Sequence, residues 1–141
     1  LLDTARGMYD YILIDSPAGL GAGFRLAICG ADRAVVVATN DASSLRDAQR
    51  TVSELDHMRQ VHLVMNRIQT KLLRRLRATI DDAMDAAGLP LIGVVPEDPY
   101  VILCANLGQP LTDRGKRGAA LACWNIARRL EGQRVPIMRI R

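Results

Sequence analysis

The sequence predicts an α/β fold, a mainly parallel sheet with helices on both faces. Three observations lead there. Four apolar runs, at residues 9–15, 33–39, 61–66 and 91–95, are continuous rather than alternating, the pattern of strands covered on both sides. Stretches with apolar residues at helical spacing separate them. The length, 141 residues with 49% apolar and 24% charged, suits one domain with a core.

The elements follow in chain order. Residues 1–5 read as the tail of a helix. The first run, Tyr9-Asp10-Tyr11-Ile12-Leu13-Ile14-Asp15, ends in a carboxylate and breaks at Ser16-Pro17-Ala18-Gly19. After the second run, a helix over 43–57 places Leu45, Ala48, Val52 and Leu55 on one stripe behind a Ser/Asp-rich start. After the third, one helix over 70–87 buries Leu72, Leu76, Ile80, Ala83 and Ala87, and Gly88 then Pro90 close it. After the fourth, Asp98 caps a short helix with Pro99 in its first turn, ending at Gly108. A last helix over 114–130 buries Leu121, Trp124 and Leu130, with Gly132 beyond its end.

Composition excludes some classes. No apolar run reaches the roughly 18 residues that span a bilayer, and the first residues lack a signal-peptide design. Cys29, Cys104 and Cys123 fit neither a metal spacing nor a disulfide framework and read as reduced core thiols of a cytosolic protein. His57 and His62 show no ligand spacing. A net charge of +4 permits an anionic partner without requiring one.

A strand that stops at Asp15 puts a negative charge at the C-terminal edge of the sheet, where ligands of open α/β sheets bind. In nucleotide hydrolases such an Asp holds Mg²⁺ directly or through water. The same pattern also describes a strand ending in a turn-forming Asp. Gly19, without a Cβ, lets a backbone N–H approach a phosphate oxygen. No Gly-x-x-x-x-Gly-Lys-Ser/Thr phosphate loop, nor a relative of it, occurs. Gly19-Leu20-Gly21-Ala22-Gly23 is glycine-rich but carries no lysine.

Six ordered segments resemble the MinD septum-site-determining ATPases, within the MinD/ParA group of deviant phosphate-loop ATPases. They are Asp15-Ser16-Pro17-Ala18-Gly19, Gly30-Ala31-Asp32 with the strand after it, Ser43-Ser44-Leu45-Arg46-Asp47-Ala48, Val64-Met65-Asn66-Arg67, Val94-Val95-Pro96-Glu97-Asp98 and Asn106-Leu107-Gly108-Gln109-Pro110. The resemblance covers most of the chain. It implies a P-loop NTPase-type sheet whose N-terminal P-loop part is absent, so that residues 1–141 form the C-terminal portion of a single ATPase domain. Domains of this kind run to about 250 residues.

The rest follows as what the resemblance implies. The cofactors are ATP and Mg²⁺. Asp15 serves the Mg²⁺ shell and catalysis, and Gly19 senses the γ-phosphate. Asn66, with Arg67 beside it, reads adenine, while Pro96, Glu97 and Asp98 flank the base. Asp41 stands where the family carries a Glu that reaches the ribose across an ATP-bound homodimer. Arg46 and Asp47 fall in the dimer and partner segment, where a solvated helix face is the plainer reading. The partners are MinC-like and MinE-like division proteins and the inner face of the cell membrane, reached through a segment not present here. The protein is cytoplasmic and peripheral on that membrane. Without the phosphate loop the chain by itself should not hydrolyse ATP.

Two departures are specific. Gly21-Ala22 replaces polar residues usual in that turn, and 135–141 is too short and proline-broken for an interfacial helix. Other readings are a ParA-like partition ATPase holding DNA through Lys71, Arg74, Arg75 and Arg77, a flagellar-number regulator, or a non-catalytic interaction module. DNA is the less favoured partner.

Overall fold

The computed structural model describes residues 2–76 and 79–138, and within these the side chains of Arg74, Leu76 and Arg114 are not described. The elements are α1 (Leu2–Arg6), α2 (Ala22–Cys29), β1 (Ala34–Ala38), α3 (Ala42–Glu54), β2 (Val61–Ile68), α4 (Thr70–Leu76), α5 (Ile80–Ala87), β3 (Leu91–Pro96), α6 (Pro99–Leu107), a 3₁₀ turn (Leu111–Arg114) and α7 (Gly118–Leu130). Among the described residues there is one sheet of three parallel strands, in the order β1-β2-β3. The α/β class and three of the four expected strands stand.

The sheet carries a core on each face. One holds Phe24 of α2, Val36, Ala38, Leu63, Met65 and Val94 under Ala48 and Leu55 of the α3 region and Ala83 and Ala87 of α5. The other holds Val64, Ile92 and Val95 under Ala119 and Ala122 of α7. Helix α7 can lie so close because Gly93 faces it. A Cβ at Gly93 would stand 2.2 Å from Cγ1 of Ile126.

The run at 9–15 is corrected: it forms no strand, and Leu13 is 96% exposed. A strand needs a neighbour to satisfy its N–H and C=O groups, and among the described residues none pairs with this segment. The Glu131 carboxylate beside Tyr11 raises its phenol above the usual range. β1 is not covered on both sides either. Val36 and Ala38 are buried, while Val35 and Val37 face out.

The helix expected over 70–87 is two. Thr79 accepts from the Asp82 N–H at 3.1 Å, and the Asp82 carboxylate accepts from the Thr79 N–H at 2.7 Å. That reciprocal cap starts α5 afresh. Leu72, expected inside, is exposed, and Leu76, also expected inside, lies outside the described side chains. In α7, Trp124 is 44% exposed beneath the Lys116 ammonium, 5.0 Å from the ring centre. The sheet-facing positions of α7 fall at Ala119, Ala122 and Ile126, and Trp124 lies two residues from the last two, off that face. Of the cysteines only Cys104 is buried; Cys29 and Cys123 are exposed thiols. Helix α2 was not expected, since the glycines around it disfavour a helix.

Asp41, Thr79 and Asp98 are the N-cap residues of α3, α5 and α6. The cap at Asp98 and the Ser/Asp-rich start of α3 agree with the sequence, and the cap at Thr79 is the unexpected restart. Gly88 and Gly108 take the left-handed conformation that closes α5 and α6.

Candidate functional site

The C-terminal ends of all three strands open on one cleft of about 220 Å³. From the end of β1 come Thr39, Asn40 and Asp41; from β2, Arg67 and Gln69; from the loop after β3, Glu97. Leu72 and Leu73 of α4 form an apolar wall. Whole-ligand pockets occupy about 300–1,000 Å³, so this cleft has the size for part of a ligand, such as one planar base.

Asp41 closes one side. Its carboxylate accepts from the Thr39 hydroxyl and from the Ser44 N–H at 2.9 Å. These bonds, the hydroxyl first, hold it below the usual carboxylate range. A depressed folded pKa contributes stability above the unfolded value of about 3.9, and that stability is lost as pH falls through the folded value. Acidification below about pH 4 is therefore expected to free this wall together with the α3 cap. Carboxyl carbon-shift titration of Asp41 checks it: Thr39→Val should raise the midpoint, and an unchanged midpoint would contradict the assignment.

The opposite side is a bulge. Met65 opposes Val94 and Ile68 opposes Pro96, so β2 carries an extra residue at Asn66–Arg67. Arg67 has φ +54°, a conformation rare for a side chain of its size. The turn lets Oδ1 of Asn66 accept from the Arg67 N–H at 2.9 Å. Bulges re-aim side chains and gather beside functional sites. Here the bulge sends Arg67 into the cleft, where Nη2 lies 3.7 Å from Glu97 Oε1. Gln69 Nε2 donates to the other Glu97 oxygen, and the Glu97 N–H donates to Ile68 O at 3.1 Å. The ends of β2 and β3 are thus tied through Glu97.

Among the expected site residues, Asp41, Arg67 and Glu97 come together in this cleft. Asn66, half-buried in the bulge, and Pro96, which ends β3, are each next in sequence to a lining residue but do not line the cleft themselves. Asp98 turns away: its carboxylate accepts from Tyr100 N–H and Ala119 N–H, both at 3.0 Å, capping α6 and bracing α7. Asp15 and Gly19 are exposed and do not line the cleft. Gly19 has φ +85° with open space where a Cβ would stand. Thr39, Asn40, Gln69, Leu72 and Leu73 were missed; the available signal was their position just past apolar strands. Of the basic cluster, Lys71 and Arg75 are exposed on α4, while Arg77 and the Arg74 side chain lie outside the description. His57 is exposed. His62 is half-buried in β2, with its Nδ1 enclosed and without a partner among the described residues.

Parallel strands whose C-terminal ends share a polar cleft define an open α/β sheet of the class that binds ligands at that edge. Comparison with known proteins narrows this. No protein-family model matches the chain. A septum site-determining protein MinD from Synechocystis is 37% identical over 98% of this chain and 53% of its own length, and that of Bacillus subtilis is 38% identical over 97% and 53%. The MinC:MinD cell division protein complex of Aquifex aeolicus matches with a TM-score of 0.89 at 36% identity, over 97% of this chain and 57% of that one. The Pyrococcus horikoshii MinD complexed with Mg-ADP gives 0.78 at 26%, over 92% and 54%. A ParA family ATPase of Chlorobium tepidum, 21% identical over 89% of this chain and 54% of its own, shares the fold at 0.72. The chain has the sequence and fold of the C-terminal portion of MinD-type proteins. It spans about half the length of the curated relatives it matches.

Proposed function

We propose that these 141 residues form the base-side half of a single MinD-like ATPase domain, one that helps place the division septum at the membrane. What carries the reading is the convergence of Asp41, Arg67 and Glu97, from three separate strand ends, on one base-sized cleft in a chain of MinD sequence.

The residues suit the cofactors. The cleft pairs an apolar Leu72/Leu73 wall with amide and hydroxyl groups, which fits a heteroaromatic ring. Asn66, beside the lining residue Arg67, has Oδ1 already engaged by the Arg67 N–H, leaving Nδ2 as the group to meet a ring acceptor of adenine. Pro96 and Glu97 flank that base, and Asp98 fixes their loop by capping two helices. Asp41 stands by the ribose and, in an ATP-bound dimer, toward the partner subunit. Among the described residues no three His, Cys, Asp or Glu groups gather as a metal cage. Mg²⁺ needs none here, because it is held by one or two carboxylates, phosphates and water. Asp15 supplies an exposed carboxylate of that kind, and Mg²⁺ when bound neutralises charge on the phosphates. Gly19 offers its N–H to the γ-phosphate.

No helix among the described residues is long and apolar enough to cross a membrane. Membrane contact is proposed as peripheral and cytoplasmic, with MinC-like and MinE-like partners on the nucleotide-bound dimer. Vesicle co-sedimentation of the full reading frame tests the reading. Binding to anionic-lipid vesicles is expected with Mg-ATP and not with Mg-ADP. Binding indifferent to nucleotide overturns it. Low-salt DNA retention that falls in Lys71→Ala/Arg75→Ala would favour the partition reading instead.

A further inference from the structure

Arg129, in the last turn of α7, makes contacts that the nucleotide reading does not use. Its Nη1 donates to Ile92 O at 2.7 Å, Nε to Val135 O at 2.8 Å and Nη2 to Pro136 O. One planar fork therefore holds three carbonyls from two separate stretches of chain. A guanidinium has the five fixed donors for this, whereas an ammonium is a single point.

The first of those carbonyls is a consequence of register. Leu63 opposes Leu91 and Val64 opposes Gly93, so Ile92 is an extra residue in β3. A bulged residue drops out of the ladder, and a carbonyl so displaced needs a partner from elsewhere. Arg129 provides it. Among the described residues β3 is also an edge strand.

The other two carbonyls belong to the segment after α7. Gly132, at φ +76°, turns the chain, with its N–H on Arg129 O at 2.9 Å and the Gln133 N–H on Arg128 O at 3.0 Å. Residues 133–138 then run without regular structure, and no backbone–backbone bond among the described residues holds 134–138. Met138 rejoins the core, packing on the α7-side cluster. Gln133 is held to the helix end, its side-chain oxygen accepting from Arg128 Nε at 2.8 Å. Beyond it, residues 134–138 are fastened by the Arg129 guanidinium and the Met138 thioether.

We propose that residues 134–138 are a strap against the α7-side cluster, latched by Arg129, which opens as a unit while the sheet stays folded. Segments held by few backbone bonds open at low free energy. Opening this one frees the Val135 and Pro136 carbonyls and uncovers the part of the cluster on which Met138 packs, while Arg129 keeps its bond to Ile92 O. Arg129 is a positioning residue in this device and touches no reacting group.

Trypsin cleavage after Arg134 and amide exchange, in the full reading frame, test the latch. Arg129→Gln should speed the cut after Arg134 about tenfold or more, with Arg129→Lys in between. Amide protection of Leu63, Met65 and Val94 should not move. An unchanged cut in Arg129→Gln overturns the proposal, and so does loss of protection across the whole sheet, which would make Arg129 a brace of the core. Wild-type protein gives an answer even if the variants fail to fold. Opening of the strap alone exposes little surface, so the cut after Arg134 should hardly change with sub-denaturing urea. A cut that rises in step with global unfolding would end the idea. None of these readouts involves nucleotide, so a failure here leaves the proposed function standing.

Discussion

Expressed as residues 1–141, the chain is expected to give no sharp cooperative melt and to bind apolar dyes, aggregating as it warms. The warrant is surface. It exposes 10216 Å² for a mass of 15.5 kDa, against about 7,200 Å² for a compact domain of that mass. The surplus, about 3,000 Å², is on the scale of an obligate interface. It is also apolar in the places that matter. Val37 on the outward face of β1 is 58% exposed, and Tyr11, Leu13 and Ile14 on the unpaired segment are open. Helix α6 displays Val101, Ile102, Leu103 and Leu107, and a helix apolar all round belongs inside a protein. Among the described residues β1 has no partner on its outer edge, a template for misassembly. The full reading frame should restore a cooperative transition by covering these faces. Calorimetry with sedimentation decides: a monomer of 141 residues that melts in one sharp step would favour the independent interaction module instead.

The same exposure explains what could be read from the sequence. Runs 33–39, 61–66 and 91–95 became strands because each has a neighbour in the parallel ladder. The run ending at Asp15 carries an equal signature and forms none. Apolar continuity reports how much burial a segment wants, not whether a partner is at hand. Stripes fail differently. The pattern of 70–87 runs through Thr79, yet a hydroxyl and a carboxylate three residues apart restart the helix. The sequence places Trp124 inside, but α7 turns Ala119, Ala122 and Ile126 to the sheet, and which face of a helix meets the sheet depends on the packing against Gly93 rather than on the helix alone. In the site, strand-end carboxylates and amides were legible from position. Thr39 and Gln69 share that position, but their place in the cleft rests on the local cap of α3 and on the bulge at Asn66–Arg67, and the bulge depends on register between strands.

Asp15→Asn, in the full reading frame, is expected to lower nucleotide turnover by about 10²–10³-fold, since metal stabilisation of developing charge contributes several kcal/mol and each 1.36 kcal/mol is a factor of ten. Asparagine keeps the shape and loses the charge. A hard cation with oxygen ligands feels that loss most, so the Mg²⁺ concentration giving half-maximal rate should rise together with the drop in kcat. Stability provides the control. Asp15 is exposed and makes no hydrogen bond among the described residues, so the melting free energy should stay within about 0.5 kcal/mol, as for ordinary surface substitutions. A turn-forming Asp would give the opposite pair: a lowered melt with turnover and Mg²⁺ dependence intact. The two roles that the sequence pattern left open are therefore separated by one substitution, because a carboxylate working on a metal is felt in the rate and one holding a turn is felt in the fold.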